Sequence, residues 1–178
     1  MDYDSKKILN ILEFIEDNFD SKSGSRYSLT NDLWLFTSSK YIYLITSPKR
    51  NENHNEIKIN AEGKWEFTNE KIFSIEKYTE GAVSSFPSES SLQAYVDLEN
   101  IGLNLTLRTR REGDFIVPFG MQGKMKLKKY LNSKKIPQHE KDNLILLCKD
   151  SEVLWIVGVG LSNKLKVVNK PTHVIRLI

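Results

Sequence analysis

The spacing of apolar residues changes period several times along this chain, and each change marks an element. Ile8, Ile11, Leu12, Ile15 and Phe19 recur at helical spacing, which predicts an amphipathic packing helix over 5–19. Asp4 or Ser5 caps its start. Glu13, Glu16, Asp17 and Asp20 make its outer face acidic, a poor match for nucleic acid. Beyond this helix the period shortens to two. Strands are expected at 33–36, 41–47, 56–60, 64–68 and 71–76, an antiparallel meander with the helix on one face. Trp34, Tyr41, Tyr43, Trp65, Phe67 and Phe73 alternate within it and are read as core rather than as base-stacking platforms.

Polar stretches punctuate this half. SKSGS at 21–25 follows a helix and precedes strands, whereas a phosphate-cradling loop follows a strand and opens a helix, so it is read as a linker turn. KRNENHNE at 49–56 is a hairpin tip carrying a surface histidine, His54. GAVSSFPSESS at 81–91 is small, polar and proline-containing, and is the expected join between two parts.

After an apolar stretch at 92–98, residues 103–109 alternate strictly, with Leu103, Leu105 and Leu107 against Asn104, Thr106 and Arg108. That alternation puts Arg108 and Arg110 on the face opposite the leucines, read as an outward face. Gly113-Asp114 is a turn signal. Residues 115–119 contain Pro118 and so read as an edge strand or loop. Gly120 and Gly123 loosen the next loop. Leu127, Tyr130 and Leu131 then predict a helix over 124–135, with Lys124 and Lys128 one turn apart on another side and Lys135 two turns further on. Ile136-Pro137 ends it. A short turn at 140–143, strands at 144–147 and 153–157, a bend at GVG 158–160, and strands at 164–168 and 173–178 complete the chain. The fold class expected is α+β: short antiparallel strands with a few packing helices, in two small domains at 1–85 and 92–178.

At 178 residues there is room for one large or two small domains, and 39% hydrophobic with 28% charged residues argues against disorder. The single cysteine, Cys148, lies in an apolar run, so no disulfide forms within the chain and a reducing cytosol fits. No run reaches the ~18 apolar residues of a membrane span, and the first residues do not have the build of a signal peptide. A cytoplasmic protein without membrane partners is expected.

Charge changes the picture most. Between residues 108 and 141 there are ten basic and three acidic side chains, a surplus of about seven, whereas the whole chain is only +3. The rest of the chain is therefore mildly acidic. A concentrated basic window is the sequence footprint of a polyanion-binding face. Catalytic signatures are missing. There is no Walker loop, metal-ligand cluster or G-x-S-x-G elbow, and His139 and His173 stand alone.

The same window resembles the C-terminal region of the tRNA(Ile)-lysidine synthetase family. The residues that carry the likeness are R-x-R-R-x-G-D from Arg108 to Asp114, P-x-G-x-x-G-K from Pro118 to Lys124, and K-L-K-x-Y-L from Lys126 to Leu131. K-K-I-P from Lys134 to Pro137 and W-x-V-G from Trp155 to Gly158 follow in the family's order. The likeness is good over 95–178 and loose over 1–94. It implies a module that holds the acceptor-stem end of tRNA(Ile), while a catalytic N-terminal domain uses ATP to join lysine to a wobble cytidine. The Ser-Gly-Gly-x-Asp-Ser phosphate loop of that domain does not occur here, so this chain alone is expected to be inactive. ATP and Mg belong to the full-length family enzyme, and no cofactor is expected in this chain. The tRNA-binding residues this implies are Arg108, Arg110, Arg111, Lys124, Lys126, Lys128, Lys129, Lys135, Lys141 and Lys164. Gly113, Asp114, Pro118, Gly120, Pro137 and Gly158 are the structural positions of the motifs. The partners implied are tRNA(Ile) and the catalytic domain of the same protein, with homodimer formation left open. A second reading, of another class, is a protein-interaction domain whose basic face meets an acidic partner.

Overall fold

The computed structural model describes residues 4–19, 25–31, 33–37, 41–46, 56–68, 70–79, 86–88 and 91–178, without the side chain of His139. The turn at 21–24, the hairpin tip at 47–55 with Lys49 and His54, and most of the expected join at 81–91 lie outside the described residues. The chain divides into two compact units, Met1–Asn53 and His54–Ile178.

In the first unit, helix α1 (Ser5–Asn18) starts where the Asp4 side chain accepts a hydrogen bond from the Lys6 amide. Its strands β1 (Ser25–Ser28), β2 (Leu33–Thr37) and β3 (Ile42–Thr46) form a three-stranded antiparallel meander. Phe14 of α1 meets Tyr27 of β1 at 5.3 Å between ring centroids. No residue of α1 is buried, and Ile8, Leu12 and Phe19 of the expected packing face are exposed.

The second unit is built from β4 (Ile57–Ile59), β5 (Gly63–Thr68), β6 (Lys71–Lys77), β7 (Gln93–Val96), β8 (Leu105–Arg108), β9 (Phe115–Ile116) and β10 (Met125–Lys126), then α2 (Leu127–Ser133) and α3 (Gln138–Lys141). The strands β11 (Leu146–Lys149), β12 (Glu152–Ile156), β13 (Gly160–Leu161) and β14 (His173–Leu177) follow. One antiparallel sheet runs β5-β6-β14-β7. The other runs β10-β9-β12-β11-β8-β4, with β13 also on β12; its β9–β12 pair is parallel and its remaining pairs antiparallel. The α+β class expected from the pattern is the one found.

The expected domain boundary is corrected by the pairing. β4 lies against β8, and β6 against β14, so strands assigned to residues 1–85 belong with the C-terminal sheets. The parting falls near residue 53 instead. Two further spans are corrected. The lysine helix begins at Leu127, because residues 125–126 pair with β9. The strand expected at 164–168 is instead a 3-10 turn, Asn163–Leu165, that begins where the Ser162 hydroxyl accepts from the Lys164 amide.

Two cores cover both faces of the larger sheet. Leu105, Leu107, Leu147 and Trp155 pack with Phe73, Ile75, Val96 and Ile175 of the other sheet. On the opposite face, Leu146, Cys148, Val153 and Ile156 pack with Ile116 and with Leu127, Tyr130 and Leu131 of α2. A bulge in the β11–β12 ladder admits Leu154 beside Trp155, so both neighbours serve the inter-sheet core. The larger sheet therefore offers solvent neither broad face in its middle, and this decides what becomes of Arg108.

Candidate nucleic-acid interface

The basic residues of 108–141 divide into three groups by their surroundings. The first is buried. Arg108 lies opposite Leu146, on the α2-covered face, and only 4% of it is exposed. Its guanidinium donates to both Asp114 oxygens, at 2.9 and 2.8 Å, and also to the carbonyls of Thr109 and Asp150. Asp114 Oδ2 accepts the Arg111 amide at 2.7 Å as well, which closes the turn at Gly113, where φ is +89°. Arg108 sits opposite the leucines as alternation requires, but that face is not solvent. Its assignment to an outward binding surface is therefore corrected: it holds the turn.

Lys141 is corrected in the same way. It is buried, and its ammonium donates to Asn132 Oδ1 at 2.6 Å. Burial, followed by the charges of Arg110 and Lys128, pulls its pKa below the ordinary lysine value. Lys141 thus stiffens the α2–α3 corner, and its charge lies beneath the surface near Arg110 and Lys128.

The second group is paired at the surface. Arg110 Nε donates to Asp142 at 2.7 Å, and Arg111 reaches Glu56, which it holds below its ordinary pKa. Such exposed pairs contribute little to stability.

The third group is the exposed lysines. Lys124 lies over the Phe115 ring at 4.5 Å from its centroid. Lys126 occupies the N-cap of α2 without a side-chain capping bond, and Lys128 and Lys129 follow in a first turn that contains no acid. A helix start favours acids, so this placement works against local stability. Lys134, which sequence reasoning left out of the site, reaches over Tyr130 at the other end of α2. Lys135 ends the helix at φ +57°, a left-handed conformation usually given to glycine. The amides of Lys135 and Ile136 bond back to the carbonyls of Asn132 and Leu131. Lys164 is exposed on the 3-10 turn.

The glycine loop meets that turn. The Gly120 amide, at φ +78°, donates to Asn163 Oδ1 at 3.0 Å, and Pro118 bridges to Ser162. Pro137 precedes α3 as its N-cap, and Gly158, at φ +73°, makes the bend after β12. Among the described residues there is no cluster of His, Cys, Asp and Glu able to hold a metal ion. No helix among them is long and apolar enough to cross a membrane.

Residues 105–177 match the family described as the TilS substrate C-terminal domain. A tRNA(Ile)-lysidine synthase of Parabacteroides distasonis is 39% identical over 83 residues, 46% of this chain and 19% of that protein. One from Dehalococcoides mccartyi is 39% identical over 90 residues, 51% of this chain and 19% of the relative. The matched part is therefore about a fifth of these relatives' length. In fold, the chain resembles a solved TilS C-terminal domain with a TM-score of 0.52 at 24% identity, covering 68% of this chain and 94% of that one. The matched residues 105–177 contain all five motifs, and the structural likeness adds the fold.

Proposed function

We propose, from the match over residues 105–177, that this chain is the non-catalytic C-terminal part of a tRNA(Ile)-lysidine synthase. Its part is to hold the acceptor-stem end of tRNA(Ile) while an N-terminal domain of the whole protein attaches lysine to the wobble cytidine with ATP. The observation that carries this reading is the run of exposed lysines along and around α2, Lys124, Lys126, Lys128, Lys129 and Lys135, together with exposed Lys164 on the 3-10 turn that meets the glycine loop. Lys128 and Lys129 stand on, and Lys126 and Lys135 flank, a helix whose apolar side, Leu127, Tyr130 and Leu131, is anchored in the second core. A cluster of exposed point charges on an anchored helix and its flanks suits a phosphate backbone. An A-form stem presents phosphates and 2′-hydroxyls and hides its major-groove edges, so such a surface senses backbone geometry more than sequence. Arg110 and Arg111 join when the RNA replaces Asp142 and Glu56 as their partner, and a guanidinium forks onto a phosphate where a lysine cannot.

Binding of a tRNA(Ile) transcript over a series of salt concentrations tests the reading. With about three to five phosphates engaged, log affinity falls against log salt with a slope of roughly −2.7 to −4.5. The chain alone, given ATP and lysine, forms no lysidine. Salt-independent binding, or equal retention of an acidic protein and tRNA, would count against it and favour the protein-interaction reading.

A further inference from the structure

A cavity of about 370 Å³ opens in the second unit away from the buried ion pair, and the lysine row does not account for it. Its wall includes Phe86, Tyr95, Phe119, Trp155, Leu161 and Leu165. Trp155 is buried, while Phe119 and Phe86 are 48% and 64% exposed. Two aromatic rings therefore present large apolar areas to solvent at one opening. Phe86 stands edge-on to Tyr95, with ring centroids 5.7 Å apart. The loop that carries Phe119 is held from both sides, by the Gly120 amide on Asn163 Oδ1 and the Asn163 amide on the Val117 carbonyl.

We infer that this cavity receives an unpaired nucleobase from the strand whose backbone lies on the lysine face. The inference rests on the reading of that face as RNA-binding and adds a second kind of contact to it. Three features favour a base over another apolar group. Leu165 and Val167 face the cavity, while Lys164 and Lys166, alternating with them, are exposed, so the stretch that forms one wall also brings cations to its rim. Among the described residues, no acidic side chain lines the cavity to repel a phosphate. The loop from Phe119 reaches Lys124 within five residues, so the opening and the lysine row belong to one continuous stretch. Of the polar residues in the described wall, Gln93 and Tyr95 are bonded to one another or to Arg176: the Gln93 oxygen accepts from Arg176 and its amide donates to the Tyr95 hydroxyl. Recognition is then by stacking and shape, tolerant of base identity.

The test uses the 178-residue chain and two RNA hairpins with the same stem, one blunt and one with a short single-stranded 3′ extension containing 2-aminopurine. The extended hairpin should bind about tenfold more tightly, a size typical of one stacked base, and its fluorescence should be quenched on binding. Phe119→Ala should erase both differences and leave blunt-hairpin affinity unchanged. Lys128→Glu should weaken the two hairpins alike. Equal affinity for both hairpins with no quenching overturns the cavity's role and leaves the lysine face standing. Binding of neither hairpin overturns both readings. Displacement of the extended strand by an apolar peptide, without any gain from the extension, assigns the cavity to a protein partner and overturns the base.

Discussion

Arg108 and Asp114, six residues apart, close a two-pronged ion pair in a part of the fold where only 4% of the arginine and 5% of the aspartate remain exposed. The pair spans the turn between β8 and β9 and ties it to the β11–β12 hairpin through the Asp150 carbonyl. Truncation of one partner leaves the other charge buried and alone. Asp114→Ala should therefore lower stability by about 3–5 kcal/mol. Replacing both residues with apolar ones, Arg108→Met with Asp114→Leu, should recover more than half of that loss. Denaturant unfolding of the three chains measures this, and full loss in the double variant would count against the ion-pair account.

The exposed lysines should answer differently. Lys128→Glu should weaken tRNA binding by about tenfold or more and flatten the salt slope by roughly one unit, with the fold intact by circular dichroism. Lys64, exposed on β5 in the other sheet, is the control, and Lys64→Glu should change binding little. Equal losses at both positions would assign binding to net charge rather than to this surface.

At Lys135, strain and function should part. A left-handed lysine costs about 1 kcal/mol relative to glycine. Lys135→Gly should therefore raise stability by roughly that amount while reducing tRNA affinity a few-fold. Thermal unfolding and binding titration on the same sample read both signs. A gain in stability with no loss in binding would remove Lys135 from the interface.

Gly160 is set by Tyr130. A Cβ added at Gly160 would overlap the Tyr130 hydroxyl, whereas the ring carbon behind it lies at an ordinary 3.5 Å. Gly160→Ala should cost about 1–3 kcal/mol through overpacking. In a Tyr130→Phe background the same change should cost markedly less. A double-mutant cycle gives the coupling.

Cys148 gives a signature in alkali. Burial, first of all, raises its thiol from 9.0 to about 12. The unfolded chain then releases this proton near 9 while the folded chain keeps it, so the contribution of this group to stability falls as pH rises between those values. The slope is about 1.4 kcal/mol per pH unit within that window. Cys148→Ala should lose less stability than the wild type between about pH 8 and pH 10, by roughly 1 kcal/mol. Parallel losses would contradict the burial assigned here.

What the sequence disclosed follows from how local each signal is. Leu127, Tyr130 and Leu131 declare a buried helix side by spacing alone, and that side packs as expected. Alternation placed Arg108 opposite Leu107 correctly, yet alternation is silent on what covers a face. The covering here comes from α2 and from Asp114, beyond the reach of a period-two pattern. Lys141 reads in sequence as a surface cation because its partner, Asn132, is a neutral amide that leaves no charge pattern. The misplaced domain boundary has the same origin at longer range: composition marks a polar stretch at 81–91, but only pairing across it shows that the strands on either side belong together.

That pairing bears on how the chain is made. β14 lies between β6 and β7, and Arg176 bonds to Glu76 across 100 positions of sequence. On a ribosome adding about 5–20 residues per second, β6 waits roughly 5–20 s for the strand that completes its ladder. Through that interval Phe73 and Ile75 lack the cover of Ile175 and Leu177. The nascent chain thus carries an open strand edge on β6 until β14, about 100 positions later, is made, and exposure during synthesis is a hazard separate from the stability of the finished fold.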